Sequence, residues 1–116
     1  CGVDYVNLHG TGTQANDKME AKAVNLTLGA TFASTLKPQI GHTLGAAGAI
    51  ESAICVMLCM KENSLLPPHV YDGEYDESLE AVNLVKSGTK FDVKTAMSLS
   101  FAFGGDNAAI IFKRVR

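Results

Sequence analysis

The chain has 116 residues, a formal net charge of −2, 47% hydrophobic residues and 19% charged ones. This balance excludes an intrinsically disordered chain and the basic footprint of a nucleic-acid binder, and the length suffices for one domain with a real core. No run approaches the roughly 20 apolar residues of a bilayer-spanning helix, and the N-terminus lacks the basic-then-apolar order of a signal peptide, so a soluble, cytoplasmic domain is expected.

Tyr5 to Leu8 carry the apolar and β-branched character of a short strand, after which the chain breaks into a glycine and threonine loop, "HGTGTQAND". A helix follows, with Asp17 as expected N-cap, Glu20 completing a capping box, Ala21, Val24 and Leu28 on one face and Gly29 as the stop. A second strand is expected over about 31–36, then a loop, then a helix from about Leu44 to Lys61. That helix is apolar or small on almost every side, as in a helix packed in the middle of a domain, and Glu51 is its one interior charge.

Pro67 and Pro68 force an extended path beyond it. Residues Asp72 to Ala81 are acidic and expected to be exposed, "VNLV" at 82–85 is a short strand candidate, and "TAMSLSFAFGGDNAAIIFKR" reads as a hairpin with a glycine turn. The order β-α-β-α-β-β-β implies an α/β fold: a mixed sheet with packed helices. The chain enters a strand almost at once, without an initiator methionine, and ends just after another, which suggests a piece of something longer.

Cys1, Cys55 and Cys59 form no CxxC spacing, and the last two fall in the apolar helix, so reduced, buried thiols are expected and no metal site. His9 opens the Gly/Thr loop and His42 follows Gly41 just before a helix. Either alone reads as a hydrogen-bonded loop histidine; the two together point to chemistry. Gly10 and Gly12 let a ligand approach the backbone while Thr11 and Thr13 set hydroxyls along one side, unless the threonines simply bond their own turn. Lys37 stands five residues before His42 and Glu51 nine after it, so a partly buried Lys–Glu pair could set the charge around the imidazole; a surface lysine and a solvated glutamate are the other reading. "GAAGA" at 45–49 offers a helix face without bulk for close packing. In "SFAFGGDN", Ser100 to Asn107, backbone N–H groups of the glycine turn could face an anion, or the phenylalanines could be ordinary core aromatics of a hairpin.

"HGTGT" with "ND" and a glutamate after it, a lysine before "GHTLGAAGAIE", and "FAFGGDN" stand in order and cover nearly the whole chain. In these motifs the chain resembles the C-terminal half of the β-ketoacyl-acyl-carrier-protein synthases, condensing enzymes of fatty-acid and polyketide synthesis with a thiolase-like fold. The resemblance implies a decarboxylative Claisen condensation. It implies that His9 and His42 bind the malonyl thioester carbonyl, that Lys37 supports them with Glu51 as its partner, and that Thr11 and Thr13 contact the phosphopantetheine arm. By the same likeness Phe101, Phe103 and Gly104 belong to the substrate gate, with Phe103 as the gating side chain. Further implications are an acyl carrier protein as partner, no cofactor beyond the carrier's phosphopantetheine, a homodimer, and a nucleophilic cysteine in an N-terminal half that this chain does not contain. Gln14, Pro38, Ala102 and Asp106 depart from the usual pattern. A non-catalytic partner subunit of the chain-length-factor kind is the alternative, and a thiolase, which would need a suitably placed cysteine in this half, is a third.

Overall fold

The computed structural model describes residues 2–115, so Cys1 and Arg116 lie outside the described residues. Strand β1 (Tyr5–Asn7) leads to helix α1 (Gln14–Leu28), strand β2 (Phe32–Ser34), a single turn of helix α2 (Lys37–Ile40) and helix α3 (Ala47–Met60). The two-residue strands β3 (Ser64–Leu65) and β4 (Lys90–Phe91) pair with each other, and β5 (Thr95–Phe101) and β6 (Asn107–Lys113) form the hairpin. The main sheet has the order β2-β1-β5-β6; β1 runs parallel to both neighbours, and β5 pairs antiparallel with β6. The expected mixed sheet is therefore present.

Alternation along β1 sends successive side chains to opposite faces. Tyr5 packs with Cys55, Leu58 and Cys59 of α3 and with Leu66, Val85, Val93 and Ala96. Val6 and Leu8 pack with Val24 of α1 and with Ala33 and Leu99. One helix thus covers each face of β1, and the C-terminal ends of β1 and β2 open into the loops that carry His9 and Lys37. No helix among the described residues is long and apolar enough to cross a membrane.

Several elements differ from expectation. Helix α1 starts at Gln14, with Thr13 rather than Asp17 as N-cap; the Thr13 side chain accepts the Asn16 N–H, and Asp17 sits in the first turn, where a negative charge favours the helix dipole. Glu20 is consequently free of capping duty. Lys37–Ile40 is a helical turn, not loop, and Leu44–Ala46 is a 3₁₀ turn ahead of α3. The segment at 82–85 forms one parallel bridge, Ala33 to Leu84, and no strand; the Leu84 N–H bonds locally to the Val82 carbonyl rather than to a neighbouring strand. Helix α3 buries only the face bearing Ala47, Glu51, Cys55, Leu58 and Cys59; among the described residues Met57 and Met60 stand 67% and 79% exposed on the other side. The glycines of "GAAGA" meet no close backbone: a Cβ at Gly48 would touch only Ser100 Oγ, at 3.5 Å, and one at Gly45 would meet open space. The acidic segment 72–81 is largely exposed, as expected.

Candidate active site

His9 is buried at the end of β1, and its position is set by its own backbone. The Glu20 carboxylate, reaching over from α1, accepts the His9 N–H at 2.7 Å on one oxygen and the Gly10 N–H at 2.8 Å on the other, with the Asn16 amide adding a third donor at 3.2 Å. Glu20 is 3% exposed. Burial raises its pKa against the lowering effect of these hydrogen bonds, as expected for a carboxylate held by amides with no cation at hand. The sequence assigned it to a capping box; the structure makes it the anchor of the His9 loop.

The ring of His42 meets that of His9 edge to face, with centroids 5.3 Å apart and planes at 87°. Phe101 lies against the His9 imidazole in the same manner, at 5.9 Å and 88°. His42 Nδ1 accepts the Leu44 N–H at 3.1 Å, so its ring N–H is on Nε2. Burial first, then the positive charge of Lys37 and the neighbouring His42, lower the His9 pKa below its ordinary value, with Asp17 pulling weakly upward. His9 is thereby neutral at neutral pH. The two rings present a pair of imidazoles that can aim N–H donors at one oxygen.

Lys37 and Glu51 form the pair that the sequence allowed, Nζ to Oε1 at 2.6 Å, with side chains 6% and 1% exposed. The surface reading of both residues is excluded. Pro38 at the start of α2 and the Gly41 stop, with φ 75°, direct Lys37 inward and His42 back toward the cluster. Thr11 and Thr13 share a hydroxyl contact of 3.1 Å; Thr13 is thus both helix cap and neighbour of Thr11. Gly10, at φ 45°, accommodates Thr35 so closely that a Cβ there would lie 2.5 Å from the threonine's own Cβ.

Phe101 rather than Phe103 approaches the histidines. Phe103 is fully exposed at the tip of the hairpin, in a turn with Gly104 and Gly105 at φ 86° and 90°, so it is no core aromatic of the described residues. A cavity of about 480 Å³ opens beside the cluster, walled by Leu8, Thr11, Lys37, His42, His69 and Leu84 among others. Thr35 and His69 were not singled out by sequence, since nothing in "STL" or "PPHV" advertises a link to the site. Cys55 and Cys59 are buried free thiols; burial pushes Cys55 up to about 12 and raises Cys59 as well, which makes both poor nucleophiles.

This mixed sheet with helices on it is the thiolase-like fold of the condensing enzymes. It superposes on a β-ketoacyl synthase from Burkholderia phymatum with a TM-score of 0.90 at 35% identity, over 98% of this chain and 28% of that one. The ketosynthase ApeO, solved in complex with its chain length factor ApeC from Xenorhabdus doucetiae, gives 0.89 at 39% identity, over 97% of this chain and 29% of that one. The 3-oxoacyl-[acyl-carrier-protein] synthase 1 of Haemophilus influenzae is 41% identical over 97% of this chain and 28% of its own length. Residues 2–71 match the β-ketoacyl synthase C-terminal domain, and the chain belongs to the β-ketoacyl synthase family. It spans less than a third of the length of these relatives.

Proposed function

We propose that this chain supplies the decarboxylating side of a condensing active site, in a β-ketoacyl-acyl-carrier-protein synthase that joins an acyl thioester to malonyl-carrier protein. The observation that carries this is the edge-to-face pair His9–His42, at 5.3 Å, held beside a buried Lys37–Glu51 pair. With a malonyl thioester bound, its carbonyl oxygen lies between the two imidazoles. The bond to the carboxylate breaks, carbon dioxide leaves, and the electron pair passes into the enolate. Donors fixed in advance at that oxygen stabilise the charge as it develops. The enolate carbon then attacks an acyl group held as a thioester on a cysteine of the N-terminal half; a carbon–carbon bond forms, the C–S bond breaks, and the cysteine leaves as thiolate.

In this reading Thr11 and Thr13 contact the phosphopantetheine arm, while Phe101, Phe103 and Gly104 shape acyl entry. The carrier's phosphopantetheine is the only prosthetic group involved, the enzyme works as a cytoplasmic homodimer, and the present chain turns nothing over by itself. A non-catalytic partner subunit has little use for two adjoining imidazoles and a costly buried ion pair, and this favours the enzyme. In the full-length protein, His9→Ala or His42→Ala is expected to abolish carbon dioxide release from malonyl-carrier protein while acyl transfer to the cysteine survives at least in part. Gas release and the mass of the acyl-enzyme measure the two steps separately, and normal decarboxylation by either variant sinks the assignment.

A further inference from the structure

His69 stands outside the histidine–lysine cluster yet is tied to it. Pro67 and Pro68 hold the chain extended up to it. Its backbone N–H donates to the Val85 carbonyl at 2.9 Å, and the Val85 N–H donates in turn to Ala33 at 2.9 Å, so the residue is docked beside the end of β2. From there its Nδ1 accepts the N–H of Thr35 at 3.3 Å. Thr35 is itself buried, and its hydroxyl works in two directions, donating to the Gly10 carbonyl and accepting the Lys37 N–H, both at 3.3 Å. Its Cβ side presses on Gly10 with no room for another carbon. One threonine therefore spaces the loop that carries His9 from the turn that carries Lys37, and His69 is the acceptor for that threonine's main-chain N–H.

We propose that His69 is a positioning residue of this site: through Thr35, its unprotonated Nδ1 sets the separation between the His9–Gly10 loop and Lys37. The proposal rests on the reading of His9 and His42 as the enolate-binding pair. Its chemistry is simple, because a buried backbone N–H needs an acceptor and a protonated Nδ1 would set donor against donor. Burial lowers the His69 pKa, with Asp17 acting weakly in the opposite sense, so the acceptor form prevails at neutral pH. The charged and titratable groups that line the cavity with it are Asp17 and Glu20 from α1, Lys37 and His42 from the α2 side, and Tyr71 and Tyr75 from its own segment. The ring of Tyr71 meets the imidazole at 5.3 Å.

The test uses the full-length protein and two variants. His69→Asn places an amide oxygen where Nδ1 stands, and His69→Leu removes the acceptor. His69→Leu is expected to lose about tenfold or more in kcat for decarboxylation, as for a site displaced by a fraction of an ångström, with KM little changed. His69→Asn restores the rate and drops the His69 part of the acid limb of the pH profile. The methyl carbon-13 resonance of Thr35 should follow the titration of His69 in the wild type and lose that response in His69→Asn. Wild-type kcat in His69→Leu, failure of rescue by His69→Asn, or a Thr35 methyl signal indifferent to pH overturns the clamp. A wild-type protein that releases no carbon dioxide overturns the histidine reading instead.

Discussion

Lys37 and Glu51, 14 positions apart in sequence, meet at 2.6 Å with almost no solvent at either charge. Such a pair gives little net stability, but breaking it strands a buried charge at a cost of about 3–5 kcal/mol. Glu51→Ala should therefore unfold far more readily than wild type. The double variant Lys37→Met with Glu51→Leu should recover most of the lost stability, yet not the decarboxylation rate of the full-length protein. Urea melts of wild type, Glu51→Ala and the double variant check the first claim, and recovery of activity in the double variant would show that the pair serves the fold alone.

The charge of Lys37 is also felt at His9, whose pKa is lowered first by burial, then by Lys37 and His42. A histidine with a depressed folded pKa contributes stability that is present above its unfolded value near 6.5 and lost as pH falls through the folded one. His69 adds a dependence of the same sign. Stability should thus decline as pH is lowered from 7 through 6, less steeply in His9→Gln. The His9 titration itself should move upward in the double variant that lacks Lys37, as read from imidazole carbon-bound proton shifts.

Glu20→Gln exchanges one acceptor oxygen for an amide NH₂, leaving either His9 N–H or Gly10 N–H facing a donor. The expected loss is about 1–3 kcal/mol for a buried donor left without an acceptor. Because the group affected is the backbone of His9, decarboxylation by the full-length protein should fall further than the melting temperature suggests. An unaltered rate in a measurably destabilised variant would separate the anchor from the chemistry.

At Gly10 a methyl group meets the Thr35 Cβ at 2.5 Å, on a residue at φ 45°. Overpacking of this kind costs about 1–3 kcal/mol, and the left-handed backbone about 1–2 kcal/mol more for a residue with a Cβ. Gly10→Ala should be among the most destabilising small changes in the chain. Thr35→Gly in the same protein should return the steric part only, which thermal melts of the single and double variants resolve.

Cys55 and Cys59 should stay unmodified when this chain is incubated with acyl- and malonyl-carrier protein, since both thiols are buried and resist ionisation. Intact mass spectrometry decides the matter: an acyl adduct with turnover at either position would remove the need for a nucleophile elsewhere.

The hairpin was legible in the sequence because "TAMSLSF" and "NAAIIFK" carry β-forming residues around a double glycine, and the ion pair because Glu51 is the single charge in an apolar helix. The start of α1 was misplaced because Asp17 and Thr13 are both good caps, and only the backbone geometry at Thr13 decides between them. Glu20 was hidden by the same ambiguity, since a glutamate three residues after an aspartate is a local signal whereas its real partners lie 10 and 11 residues back. The 82–85 segment looked like a strand from its side chains, but its pairing is set by a single bridge to Ala33 across 51 positions of sequence, which no local pattern reports. Nor could spacing tell that Phe101, and not Phe103, is the aromatic that touches His9.

Strand β6 closes one side of the main sheet with seven residues in unbroken extended conformation, all but Phe112 exposed, and Ile110 and Ile111 are 49% and 57% open. Only its β5 side is paired within that sheet. A long, exposed edge with apolar side chains is a template on which any passing extended segment can continue the ladder, so the concentration at which this chain is handled will govern its fate as much as its intrinsic stability does. Proline placed at a residue of β6 whose N–H points away from β5 should delay the onset of light scattering on heating while leaving the β5–β6 pairing intact, which gives a practical route to keeping the chain dispersed.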